Sequence, residues 1–129
     1  MEAFSHCSSL ASITVDEKNS IYDSRDDCNA IIETSSNTLI VGCQKTIIPN
    51  SVTTIGYNAF DECSNLTSII FPNSVTTIRG SAFKNCSGLT TVTIPNSVKF
   101  IGDSAFSGCT SLTTVTIGDG VKSITSGCF

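Results

Sequence analysis

Ala59-Phe60 recurs as Ala82-Phe83 and again as Ala105-Phe106, each time after 23 residues. Cys63, Cys86 and Cys109 keep that step, as do Leu66, Leu89 and Leu112, then Ile69, Val92 and Val115. Phe71, Ile94 and Ile117 follow it, then Val75, Val98 and Val121, and Ile78, Ile101 and Ile124. The unit reads AFxxCxxLxxIxΦPxSVxxIxxx, with Φ a large apolar residue. Twenty-three residues cannot bury an apolar face alone, so the copies must stack into a solenoid whose core is continuous from coil to coil.

Within each unit, Val92-Thr93-Ile94 and its equivalents alternate with the period of two that a strand requires. Pro49-Asn50-Ser51, Pro72-Asn73-Ser74 and Pro95-Asn96-Ser97 predict a type I turn with proline at its second position. Val75-Thr76-Thr77-Ile78 suggests a second short strand, and Ala82 to Cys86 has room for one helical or 3₁₀ turn. Cys63, Cys86 and Cys109 then share one inward position and act as small buried apolar groups. The expected architecture is a mainly β solenoid of about five coils, a single domain over residues 1–129.

Both ends fall in mid-unit. Residues 3–15 form the first half of a repeat, and Cys128-Phe129 lies where the next Ala-Phe is due, so the sequence predicts a fragment of a longer array. Unpaired strand edges at such ends predict end-to-end association. From Val15 to Ile48 the interval is 33 residues instead of 23, which places an insert within about residues 16–43. Asn29–Glu33 and Thr38–Gly42 flank Thr34-Ser35-Ser36-Asn37 and read as a β-hairpin with a four-residue loop. If the hairpin is regular, Ile31 faces Ile40 and Cys28 faces Cys43. Directly opposed residues lie roughly 4.5–5.5 Å apart, a separation a disulfide can span, so a Cys28–Cys43 bond and two reduced core thiols both remain open.

The units PNSVTTIGYNAFDECSNLTSII and IPNSVKFIGDSAFSGCTSLTTVTI resemble the BspA-like leucine-rich repeats, the treponemal type of 23-residue repeat. The resemblance implies a right-handed solenoid, a cell-surface or secreted location and, for some members, adhesion to host or bacterial proteins. It implies no catalytic residues and no cofactor. The asparagine of ordinary leucine-rich repeats has no counterpart here, and Cys43 sits where Leu66 sits in the next unit.

Composition narrows the function classes. Twenty serines and 17 threonines outnumber the 18 charged residues about two to one, and the net charge is −4. Seven scattered lysines and arginines do not make a nucleic-acid surface. No run of apolar residues is long enough for a membrane span, and MEAFSHCSSL lacks the pattern of a signal peptide. The acidic residues of the insert lack the spacing of a calcium loop, and no CxxC pair suggests zinc. His6 beside Cys7 is weak grounds for a Cys-His nucleophile, because Cys7 is simply the first ladder cysteine.

The strand face is the candidate site. With the apolar alternates inward, Ser12 and Thr14 point out, as do Lys45 and Ile47, Ser68 and Ile70, Thr91 and Thr93, and Thr114 and Thr116. Threonine suits any exposed strand. The functional reading is a concave protein-binding face, with Phe100 and Tyr57 as a second, convex-side candidate. Two alternatives stay open: a spacer that projects other domains, and a Thr-x-Thr array like that of ice-binding solenoids.

Overall fold

Short segments of one coil pair with the equivalent segments of the next, forming two sheets. In the computed structural model, which describes residues 3–129, the strands are β1 (Tyr22–Asp23), β2 (Ile31–Glu33), β3 (Thr38–Val41), β4 (Thr54–Ile55), β5 (Thr77–Ile78), β6 (Thr91–Ile94), β7 (Phe100–Ile101) and β8 (Thr114–Ile117). One sheet has the order β1-β2-β3-β4-β5-β7, and the other consists of β6 and β8. Parallel pairing is in register with the repeat: Thr54 meets Thr77 and Thr77 meets Phe100, while Ile55, Ile78 and Ile101 lie beside one another on the inner face. Thr91 to Ile94 pair residue by residue with Thr114 to Ile117.

Between the sheets runs a core of stacked equivalents. Val52, Val75 and Val98 are fully buried, as are Phe60 and Phe83, with Phe106 almost so. The phenyl rings form a column: Phe60 and Phe83 stack at 4.7 Å, Phe83 and Phe106 at 5.1 Å, Phe106 and Phe129 at 5.2 Å. Phe71 meets Phe83 edge-on at 5.5 Å. Such ring pairs contribute about 0.5–1.5 kcal/mol beyond the area they bury.

Two local expectations are corrected. Val52, Val75 and Val98 each donate their N–H to the carbonyl of Pro49, Pro72 and Pro95 at 3.1 Å, so proline opens the turn and Asn-Ser forms its centre. The Ala-Phe segments, in turn, are not helical. Asn58, Ser81 and Ser104 have φ of 56°, 57° and 59°, and Glu62 and Asn85 are also left-handed, which breaks each segment into successive four-residue turns. A single 3₁₀ turn occurs among the described residues, at Arg25–Asp27 within the insert.

The insert is more than an added hairpin. β2 and β3 pair antiparallel with Glu33 opposite Thr38 and Ile32 opposite Leu39, as the sequence predicts. A bulge then slips the register, so Ile31 faces Val41 instead of Ile40. The slip removes Cys28 from direct opposition to Cys43, and all seven cysteines are free thiols. β1 adds a third antiparallel strand that the sequence does not reveal. The Arg25 side chain grips both oxygens of Asp23 at 2.7 and 2.6 Å, and Thr34 donates to the same carboxylate at 2.7 Å. The Arg25 guanidinium holds the Asp23 carboxyl well below the usual carboxylate range.

β3 continues directly into the solenoid: Leu39 lies beside Ile55, and the Gly56 N–H donates to Leu39 O at 2.8 Å. Leu39 therefore holds the rung of Ile55. From Val15 to Leu39 there are 24 residues where Ile48 to Ile55 has seven; from Leu39 to Cys43 there are four where Ile55 to Leu66 has eleven. The net excess of ten thus combines seventeen residues added before Leu39 with seven removed after it. What is removed is the Ala-Phe-x-x-Cys turn. Gly42 takes the phenylalanine rung, since its N–H donates to Ala59 O as those of Phe60 and Phe83 donate to Ala82 O and Ala105 O. With that turn missing, the first coil docks on the third. Asn65 donates to Ser8 O at 2.9 Å, His6 pairs with Glu62, and Phe4 and Cys7 share a void of about 20 Å³ with Gly42 and Cys63.

Candidate binding face

All ten residues expected on the outer strand face are exposed. Thr91, Thr93, Thr114 and Thr116 form two adjacent pairs on β6 and β8. Ser68 joins them through one bridge to Thr91. Ile70, on the same segment, shares a surface depression of about 390 Å³ with Thr91, Thr93 and Pro95. Lys45 and Ile47 do not join the ladder. They face Ser68 and Ile70 across a groove of about 260 Å³. Ser12 and Thr14 lie outside any strand.

The groove between the second and third coils has a local cause. Thr46 stands where Ile69, Val92 and Val115 stand in later units, and it is the one buried polar side chain among the described residues. Its hydroxyl donates to Asn29 O at 2.6 Å and accepts from the Cys43 N–H at 2.8 Å, while the Ile47 N–H donates to Cys28 O at 3.0 Å. The second coil is thereby bonded back to the insert. Ile47 is 75% exposed and Ile70 84%, the two most exposed large apolar residues among the described residues. Isolated exposed aliphatics are ordinary on a surface; these two stand beside one groove in a row of hydroxyls and form a small apolar patch.

Phe100, 54% exposed, lies on β7 in the six-stranded sheet, on a different surface from the threonine pairs. Tyr57, 60% exposed, follows β4 and stacks under Arg79.

The ladder cysteines do more than fill space. The Cys86 thiol donates to Phe60 O at 3.1 Å and the Cys109 thiol to Phe83 O at 3.2 Å, so each ties its turn to the coil before it. Burial pushes the Cys63 thiol up to about 11 and raises Cys28, Cys86, Cys109 and Cys128 as well. Thiolate is the nucleophilic form, so these groups are unreactive at neutral pH. Cys7 is exposed, contrary to the inward position expected of a ladder cysteine, because it lies on the outermost coil. His6 beside it turns to Glu62. Among the described residues, no group of three or more His, Cys, Asp or Glu is placed to hold a metal ion, and no helix is long and apolar enough to cross a membrane.

Alkylation of the native protein at neutral pH is expected to label Cys7 quickly and the buried thiols slowly. After denaturation without reductant, mass measurement should count seven labels; five would mean a Cys28–Cys43 bond. The raised thiols also set an alkaline limit. Because the folded state keeps Cys63 protonated, its stabilising contribution is complete below about pH 9 and is lost as pH rises toward 11.

A family model described as BspA type leucine-rich repeat region matches residues 30–129 in six copies. The fold is similar to that of a leucine-rich repeat protein from Eubacterium ventriosum, with TM-score 0.73 and 26% identity, covering 84% of this chain and 30% of that one. A leucine-rich repeat protein from Bacteroides ovatus is 39% identical, with TM-score 0.56, covering 64% of this chain and 22% of that one. A leucine-rich cell surface protein from Faecalibacterium prausnitzii gives TM-score 0.52 and 28% identity, covering 89% of this chain and 44% of that one. The chain therefore spans less than half the length of each of these proteins. Comparison with curated proteins gives no match.

Proposed function

The chain belongs to the BspA-type leucine-rich repeat family, and from that premise we propose that it is a non-catalytic protein-binding module of a bacterial cell-surface or secreted protein, used in adhesion to host-matrix or bacterial surface proteins. The carrying observation is the exposed pair Ile47 and Ile70 on either side of a groove, bordered by Lys45, Ser68, Thr91 and Thr93. Desolvating two aliphatic side chains at the centre of a hydroxyl-rich rim follows the usual division of an interface into an apolar centre and a polar margin. The description of the F. prausnitzii neighbour as a cell surface protein supports the location.

A second reading, a spacer that projects other domains, is favoured by the identical Thr-Val-Thr-Ile sequences of β6 and β8. The two readings separate in one experiment. The chain is displayed on a bacterial surface, and attachment to immobilised matrix glycoproteins and to other bacterial cells is measured for the native sequence and for Ile47→Glu/Ile70→Glu. The binding reading expects attachment to at least one of these surfaces, with the double substitution reducing it roughly tenfold or more while the melting temperature stays unchanged. Attachment indifferent to both substitutions removes the proposed face.

A further inference from the structure

A second groove, of about 350 Å³, lies on the six-stranded sheet, away from the Ile47–Ile70 face. That volume falls at the small end of the usual range for ligand sites, about 300–1,000 Å³. One wall comes from the insert, through Tyr22, Glu33 and Ile40, and the other from the loops after β4 and β5, through Tyr57 and Arg79. Gly56 lies between them, and a Cβ there would stand 2.9 Å from Leu39 O, so the backbones of β3 and β4 approach as closely as they do only because the residue is glycine.

The polar groups of this groove are pinned but unspent. The Arg79 guanidinium carbon lies 5.2 Å from the centre of the Tyr57 ring, which fixes its plane. Among the described residues it makes no hydrogen bond or ion pair, leaving five N–H donors. Glu33 accepts from the Ser36 hydroxyl through one oxygen, and the other has no partner among the described residues. One positive and one negative group line the groove, so it has no net charge. A phosphate or sulfate group would meet the carboxylate, and an amine the guanidinium. A purely apolar ligand would desolvate both without pairing either, at about 1–3 kcal/mol for each group. Vicinal hydroxyls meet both requirements, because they accept from the guanidinium and donate to the carboxylate. The C–H face of a sugar ring meets the third, an apolar wall of tyrosine and isoleucine.

We propose that this groove binds a neutral oligosaccharide, with Arg79 and Glu33 bonding ring hydroxyls and the tyrosines supplying the apolar wall. The site does not depend on the protein-binding reading of the other face. The composition helps the test: the chain has two tyrosines and no tryptophan, and both tyrosines line this groove, so its intrinsic fluorescence responds to binding here, with Tyr57 reporting on this groove and Tyr22 shared with a neighbouring depression. The full chain is titrated with chitotriose, maltotriose, cellotriose and xylotriose to about 10 mM each, followed by tyrosine emission and by saturation-transfer NMR on the sugar. The expected result is a saturable response to at least one sugar, with a dissociation constant of about 1 mM or tighter, weakened roughly tenfold by Arg79→Ala or Glu33→Gln and untouched by Ile70→Glu. Circular dichroism establishes that each variant is folded. Absence of a saturable response to all four sugars overturns the proposal. So does a response that survives both groove substitutions, or binding confined to a sulfated sugar used as the charged control.

Discussion

Phe83→Ala is expected to cost about 3–5 kcal/mol, the range for removing a fully enclosed phenyl ring when the surroundings cannot collapse into the space. Phe83 is the middle member of the ring column, with Phe60 at 4.7 Å on one side, Phe106 at 5.1 Å on the other and the edge of Phe71 at 5.5 Å. Collapse is blocked because each neighbouring ring is itself held by the next coil. The loss is a large share of the roughly 5–15 kcal/mol that stabilises a typical domain. Stability in a solenoid is passed between nearest neighbours, so breaking the central contact should also uncouple the two halves and broaden the denaturant transition. Phe4→Ala, at the exposed end of the chain, serves as the comparison and should cost less than about 1 kcal/mol. Urea unfolding followed by circular dichroism checks both, and equal losses at the two positions would contradict the column's role.

The second large effect concerns Gly42. A Cβ at this position would lie 2.1 Å from a ring carbon of Phe60, and Phe60 is fully buried and stacked on Phe83. Gly42→Ala should therefore destabilise by about 1–3 kcal/mol, the usual range for forcing an extra group into a packed core. The clash is with one side chain, so the cost must depend on that side chain. In Phe60→Leu the shorter group leaves room for the methyl, and the double variant should be more stable than the sum of the two single losses by about 1 kcal/mol or more. Additive losses would mean that Gly42 is required for some other reason. A chain that lacks one turn needs a glycine exactly where the next coil's phenyl ring comes to rest.

How much of this was legible depended on whether a feature repeats. The 23-residue step exposed the inward rungs, such as Ile55, Ile78 and Ile101, and the outward ones, such as Thr91 and Thr114, because a fixed period and strand alternation together assign a side to every residue. The hairpin around Thr34–Asn37 was legible from turn residues between two apolar runs. The rest was hidden for particular physical reasons. A bulge between Ile31 and Ile32 leaves no mark in composition, yet one extra residue is enough to separate Cys28 from Cys43. The net excess of ten concealed an addition and a removal that partly cancel. β1 is only two residues long and is held by the Asp23 ion pair and Thr34, so it has no apolar alternation to detect. Tyr22 and Arg79 are distant in sequence and come to line one groove only because the insert continues the sheet, so neither marked it.

That continuity is the central claim: the insert is part of the solenoid's hydrogen-bonded ladder. Amide hydrogen exchange measures it directly. The N–H groups of Gly42, Gly56, Arg79 and Gly102 each donate to a carbonyl of an adjacent coil or insert strand at 2.8–2.9 Å. If the ladder is one cooperative unit, Gly42 and Gly56, which join insert and coils, should exchange as slowly as Arg79 and Gly102, and Phe83→Ala should accelerate all four together. Exchange at Gly42 and Gly56 that is faster by orders of magnitude, with Arg79 and Gly102 still protected, would make the insert a separate flap and contradict the claim.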